Sequence, residues 1–298
     1  MASQQLRETI ELIRSQASVA ADGLSLAERR KMMEEQQAQL PVPADIVREP
    51  IDMDGVAGLR VTAPGARDDR FILYDHGGGY VMGSVATHVE LMGRLSRACG
   101  ATVYGVDYRL APEAPYPAAV EDSLAAYRWL LRQGAVPEHV MIGGDSAGGG
   151  LTLATLVSLR DGGEPLPAGA ILFSPWTDLA CTGESMSTRA GQDPMITDRA
   201  VVLEMAGLYA GDHDATHPHI SPVYADLAGL PPLLVQVGDA ELLLDDSTRL
   251  AERAEKAGTP VRLSIWDEAF HVFQAMPQLP EAAEAVAQVE AFFREHID

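Results

Sequence analysis

A chain of 298 residues that is 47% hydrophobic and 22% charged holds enough apolar material for one large core, which excludes disordered and fibrous classes. Its charges do not balance: 43 acidic against 22 basic side chains leave a formal charge of −21, a field that repels phosphate backbones and anionic bilayers. Nucleic acid and membrane surfaces are not expected partners; a neutral or cationic small molecule is.

The opening segment MASQQLRETIELIRSQ spreads charge through every turn, without an apolar core of the secretory type. No run of about 18 apolar residues follows, so neither a signal peptide nor a membrane span is expected. Cys99 and Cys181 lie far apart and outside any C-x-x-C pair, which suits a reducing, cytoplasmic compartment and indicates no zinc site. Residues 3–17 and 25–40 carry amphipathic helical patterns, the second opened by Ser25 and Glu28 in capping-box spacing. Residues 46–64 read as a hairpin turning near Asp54-Gly55.

From there short apolar runs alternate with helical patterns: FILYD, then 86–98; ATVYGVD, then 117–133; HVMIGG, then 147–160; later AILFS, LLVQVG and VRLSIW. This alternation predicts a mostly parallel sheet with helices on both faces. Between AILFS and LLVQVG the stretch 180–222 holds one helical pattern, 197–210, and the polar loop GDHDATHPHISP, a length that suggests a lid.

The segment HVMIGGDSAGGGLTLATL reads as strand, sharp turn and helix, with Gly144-Asp145-Ser146-Ala147-Gly148 at the turn. G-x-S-x-G in that setting projects a serine from the top of a sheet, with glycines on either side to avoid collisions, and sets its oxygen at a helix N-terminus. Glycine-rich turns of this kind also bind phosphates or only pack tightly, so Ser146 needs further support. That support is the run His76-Gly77-Gly78-Gly79 after FILYD. Acyl transfer turns a carbonyl oxygen into an anion, which pre-positioned backbone N–H groups stabilise, and glycines keep side chains out of its way. Gly77 and Gly78 are the expected donors, with Gly79 close behind and the N–H of Ala147 completing the set. His76 is expected to anchor the loop rather than react.

Together His76 to Gly79, DYRLAPE (107–113), GDSAGG (144–149) and SPWTDL (174–179) resemble the bacterial hormone-sensitive-lipase-like carboxylesterases of the α/β-hydrolase superfamily, over about residues 46–298. The resemblance implies an α/β-hydrolase fold with catalytic segments 46–180 and 223–298 and a helical cap from 1–45 and 181–222. It implies a buttressing role for DYRLAPE, with Asp107, Arg109, Glu113 and also Asp178 structural, short acyl substrates, and dimerisation through a sheet edge.

A serine nucleophile needs a base oriented by an acid, and the fold supplies them in the order Ser, acid, His. His271 and His296 both follow LLVQVG and its acidic loop; His296 belongs to a terminal helix, which leaves His271 as the base, and FHVF (270–273) resembles the family's histidine loop. The loop GDAELLLDDS offers Asp239, Glu241, Asp245 and Asp246. Registering the family's Asp-Pro-x-x-Asp-Asp on Asp245-Asp246 puts the acid on Glu241, with Leu242 in the place of proline. Asp239 leaves the strand directly and stays open as the alternative, while Asp245 and Asp246 fit a helix N-terminus.

The expected reaction is ester hydrolysis through an acyl-enzyme, with no cofactor and no metal required. Lactones and acetyl esters remain open as substrates. Met32, Met33, Met205, Leu208 and Tyr209 are candidate pocket lining, although stripes at helical spacing more often pack a cap on a sheet. A non-catalytic binding member of the fold is expected to have lost part of the triad.

Overall fold

The chain is described here from a computed structural model, which covers residues 2–20, 24–37 and 39–297. Two helices, α1 (Gln4–Ala20) and α2 (Leu26–Gln37), lead into a single sheet. Its strands are β1 (Val47–Asp52), β2 (Ala57–Thr62), β3 (Arg67–Asp75), β4 (Ala101–Val106), β5 (Val140–Asp145), β6 (Gly169–Phe173), β7 (Leu233–Gly238) and β8 (Val261–Trp266). They pair in the order β1-β2-β4-β3-β5-β6-β7-β8, antiparallel from β1 through β2 to β4 and parallel from there on.

The hairpin turns where expected. Asp54 and Gly55 both take positive φ, 60° and 93°, and the Gly55 N–H donates to Asp52 Oδ1 at 2.8 Å. Later strands read as continuous apolar runs because they are buried on both faces: every residue of β5, β6 and β7 is buried.

Helices α3 (Val89–Cys99), α4 (Ala118–Arg132), α5 (Ala147–Asp161), α6 (Ser185–Thr188), α7 (Arg199–Ala210), α8 (Leu244–Lys256) and α9 (Pro280–Ile297) complete the chain. One layer of core sets Leu91, Met92 and Leu95 of α3 and Phe292 and Phe293 of α9 against Ile72, Val103, Met141 and Ile171. The opposite layer joins α4, α5, α7 and α8 to Leu73, Ile142, Leu172 and Val235. These layers match the architecture that the alternation predicts. The single turn α6 is too short to leave a helical period in the sequence.

The N-terminal helices attach differently. Leu6 of α1 is fully buried with Phe270, Phe273 and Leu279. α2 carries the expected capping box, Ser25 N–H to Glu28 Oε2 at 2.8 Å and Glu28 N–H to Ser25 Oγ at 3.3 Å, but buries none of its side chains. It is held to the body by the partly buried Leu26, packed on the core, and by Arg30, which donates to Val81 O and Ala111 O and pairs with Glu113, each at 2.7 or 2.8 Å. Met32 and Met33 are half-buried. Among the described residues no helix is long and apolar enough to cross a membrane.

Because β3 to β8 run parallel, their C-terminal ends share one edge, and the loops that leave it bring together residues far apart in sequence.

Candidate active site

Ser146 links the end of β5 to the start of α5 with φ 54° and ψ −121°, a conformation that L-residues rarely adopt. The strain persists because the backbone around it is fully bonded. Ser146 N–H donates to Phe173 O at 2.8 Å, and Ser146 O accepts from Trp176 N at 2.8 Å and Gly150 N at 3.1 Å. Methyl groups on Gly144 or Gly148 would collide with the backbone of Asp75, which accounts for the two glycines of the motif.

His271, in the loop after β8, turns its ring onto this serine. Nε2 lies 2.9 Å from Ser146 Oγ, and Nδ1 lies 2.8 Å from Glu241 Oε2. The other oxygen of Glu241 accepts from the Gly238 N–H at 2.6 Å and from Ser174 Oγ at 2.7 Å, so the carboxylate is fully buried yet satisfied. Burial opposes a charged imidazole, but the hydrogen bond and charge of Glu241, with Asp193 and Asp145 beyond, hold the His271 pKa above its usual value.

The alternative acids point elsewhere. Asp239 is half-buried and accepts from the Glu268 N–H at 2.8 Å. Asp245 and Asp246 occupy the first turn of α8. Asp245 Oδ2 accepts from Ser185 N at 2.9 Å, and Asp246 Oδ2 from the N–H groups of Thr177 and Asp178, both at 2.7 Å. Burial, reinforced by the charge of Asp178, pushes the Asp246 carboxyl up to about 8. Asp178 itself pairs with Arg249 at 2.7 Å, and His296 lies in the last turn of α9 against Phe292.

The glycine loop needs one correction. The amide of Gly77, expected to face a substrate, donates instead to Asp145 Oδ1 at 3.1 Å. The reason is local crowding: the Asp145 carboxylate sits where a side chain of residue 77 would be. The N–H groups of Gly78, Gly79 and Ala147 donate to no protein group among the described residues. Gly78 and Gly79 take φ of 119° and 63°, and Met205 of α7 lies against Gly79. Tyr209 is buried and stacks on Tyr80 with ring centroids 3.7 Å apart, and Leu208 is a partly buried neighbour of the same core.

His76 does not touch the serine. It donates from Nδ1 to Gly77 O at 2.7 Å and stacks on Tyr108 at 4.2 Å, while burial and the neighbouring His88 push its pKa down to about 3. Tyr108 Oη donates to His76 O at 2.7 Å, and Asp107 Oδ1 accepts from Val85 N at 3.1 Å, so DYRLAPE braces the loop. Beneath it lies a polar cluster with no forewarning in the sequence. Asp145 accepts from Tyr74 Oη at 2.8 Å and faces His88 Nε2 at 3.2 Å. Burial disfavours both charges, yet each group supports the other: Asp145 is held below the usual carboxylate range and His88 above the usual imidazole value.

Sequence reasoning also missed Ser174 and Asp193. Ser174, at φ 45°, donates to Glu241 and accepts from the Val272 N–H at 3.1 Å. Asp193 is 1% exposed and accepts from the His271 N–H at 3.0 Å. Asp193, Glu241 and His271 present ligand atoms within 4.8 Å of one another, the one cluster of metal-binding geometry among the described residues. In this arrangement each is already hydrogen-bonded within the protein.

Residues 72–275 match the protein family described as alpha/beta hydrolase fold. The chain belongs to the α/β-hydrolase family, in its hormone-sensitive-lipase-like branch. It is similar to an acetyl-hydrolase of Streptomyces hygroscopicus, 49% identical over 232 residues that cover 78% of this chain and 77% of the relative. A carboxylesterase of Mycobacterium tuberculosis is 32% identical over 283 residues, covering 90% and 88%. A crystal structure described as an esterase from the bacterial hormone-sensitive lipase family superposes with a TM-score of 0.96 at 47% identity, covering 100% of both chains. That match extends through α1 and α2 as well as the sheet.

Proposed function

We propose that the protein, a carboxylic ester hydrolase by family, cleaves short-chain acyl esters by double displacement at Ser146. The observation that carries the reading is the unbroken line from Ser146 Oγ through His271 to Glu241, with contacts of 2.9 and 2.8 Å. Ser146 Oγ attacks the ester carbonyl while its proton passes to His271 Nε2. Glu241, accepting from Nδ1–H, fixes the tautomer and stabilises the imidazolium. The tetrahedral oxyanion is received by the amides of Gly78, Gly79 and Ala147. Collapse expels the alcohol, protonated by His271, and water then releases the acid by the same steps in reverse order.

Substrate selection falls to residues 1–45 and 181–222, read as a cap over the catalytic segments 46–180 and 223–298. Met205 against Gly79 and Tyr209 on Tyr80 limit the room beside the oxyanion loop, which favours a small acyl group. The name of the Streptomyces relative favours acetyl esters in particular. The unpaired edge of β8, with Ile265 51% exposed, suits pairing of two copies.

The test is hydrolysis of p-nitrophenyl esters from acetyl to palmitoyl by wild type and Ser146→Ala. Activity should peak between acetyl and butyryl and fall about ten-thousand-fold or more in the variant. A maximum at long chains would refute the small-acyl reading, and a variant with wild-type turnover would refute the nucleophile.

A further inference from the structure

The loop that presents His271 is not self-supporting. Val272, immediately after the histidine, is a β-branched residue at φ 53° and ψ 41°, the left-handed region that such side chains avoid. A strained turn of this kind holds only where its surroundings over-determine it. Two side chains from other segments do so. Ser174 accepts the Val272 N–H at 3.1 Å, and Asp193 Oδ2 accepts the His271 N–H at 3.0 Å.

The Asp193 carboxylate is unusual in its origin. It belongs to the segment between α6 and α7, 78 residues before the histidine in sequence. Its other oxygen accepts from the N–H groups of Met195 and Ile196, at 2.8 and 3.4 Å, so one carboxylate organises its own loop and grips the histidine at once. Next to it, Gln192 O accepts from Arg14 of α1 at 2.8 Å. The N-terminal helix, the 189–196 segment and the histidine backbone thus form one chain of contacts.

We propose that Asp193 is a positioning residue for His271, making the alignment of the base depend on the seating of the 189–196 segment over the site. The inference rests on the Ser146, His271 and Glu241 reading above. Asp193 acts in two ways. Its hydrogen bond sets the backbone from which the imidazole projects toward Ser146. Its charge, close to both Glu241 and His271, favours the imidazolium that forms as the serine loses its proton. The charged and titratable groups facing Asp193 are His271 and Glu241; those facing His271 are Glu241, Asp193 and Asp145. Burial raises the Asp193 pKa above the usual carboxylate range, with the charge of His271 opposing the rise and that of Glu241 adding to it.

The two effects separate in Asp193→Asn and Asp193→Glu, assayed with p-nitrophenyl butyrate beside Ser146→Ala. Asn removes the charge at nearly constant volume. It should cut kcat at least ten-fold with KM within three-fold of wild type. Because an anion near His271 raises its pKa, removing that anion should move the acid limb of kcat/KM to lower pH by roughly half a unit or more. Glu keeps the charge and shifts it by one methylene, so kcat should fall with the acid limb in place. A well-folded Asp193→Asn with wild-type kcat and limb overturns the proposal, as does a loss of activity that only tracks a lower melting temperature. If the Asn variant does not fold, Asp193→Glu decides: reduced kcat in a folded protein supports the proposal, and kcat within two-fold of wild type overturns it. An inactive Ser146→Ala beside an unaffected Asp193→Asn sinks the positioning role alone, whereas an active Ser146→Ala sinks the reading beneath it.

Discussion

Glu241→Gln is expected to leave the fold intact and reduce kcat toward p-nitrophenyl butyrate by about 10³ to 10⁴, or roughly 4 to 5.5 kcal/mol of transition-state stabilisation. The reason lies in how the two carboxylate oxygens are used. Oε1 receives the Gly238 N–H and the Ser174 hydroxyl, which fixes it as an acceptor and leaves Oε2 toward His271 Nδ1. A glutamine keeps its carbonyl oxygen on the two donors and presents its NH₂ to the ring. Nδ1 must then accept, the proton moves to Nε2, and the histidine faces Ser146 as a donor unable to take the serine proton. Asp239→Asn, by contrast, should retain near wild-type kcat, because among the described residues the Asp239 carboxylate accepts only from the Glu268 amide in the turn after β8. Steady-state kinetics on both variants, with circular dichroism to verify folding, is the check. The reverse order of effects would move the acid to Asp239.

The largest stability effect is expected from His88→Leu. The substitution leaves Asp145 buried and ionised without its partner, and breaking a buried pair in this way costs about 3–5 kcal/mol. For a chain of this size that corresponds to a melting midpoint lower by roughly 10 °C. The sign of the pH dependence follows from the two shifts. His88, raised in the folded state, stabilises fully below its unfolded pKa of about 6.5 and loses that contribution as pH rises through its folded value. Asp145, lowered in the folded state, stabilises above about pH 4 and loses its contribution as pH falls through its folded value. The gap between wild type and variant should therefore be widest between about pH 4 and 6.5 and narrow at alkaline pH. Thermal melts at pH 6 and pH 9 read this directly, and equal midpoints for the two proteins at pH 6 would contradict the account. Because Asp145 also holds the Gly77 amide, the variant should lose activity as well as stability.

What could be read from the chain followed the range of each interaction. Strands β5 to β7 were legible because burial on both faces turns them into apolar runs, and Ser146 because its strained turn needs glycines within two residues. His271 was reachable because chain order leaves few candidates after β7. The acid loop was harder: four carboxylates lie within eight residues, and only the path of the backbone past Gly238 decides which one meets the ring. Gly77 misled for the same reason. All three glycines look alike as donors until the Asp145 carboxylate, 68 residues away, claims the first amide. α2 misled differently, since its helical spacing suggested a buried apolar face, whereas it buries no side chain fully and holds to the body through the hydrogen bonds of Arg30 and the partly buried Leu26. Ser174 and Asp193 were invisible in principle: each is one polar residue in a loop, and its role exists only where the chain returns after 67 to 98 residues.

Transfer of the acyl group to Ser146 is the step on which the proposed chemistry depends. Its most direct test is mass spectrometry of the protein quenched with acid during turnover of p-nitrophenyl butyrate, followed by peptide mapping. One butyryl adduct is expected on the peptide that contains Ser146, absent from Ser146→Ala. A butyryl group on another residue, or none while the same sample is turning over with deacylation shown to be rate-limiting, would contradict it.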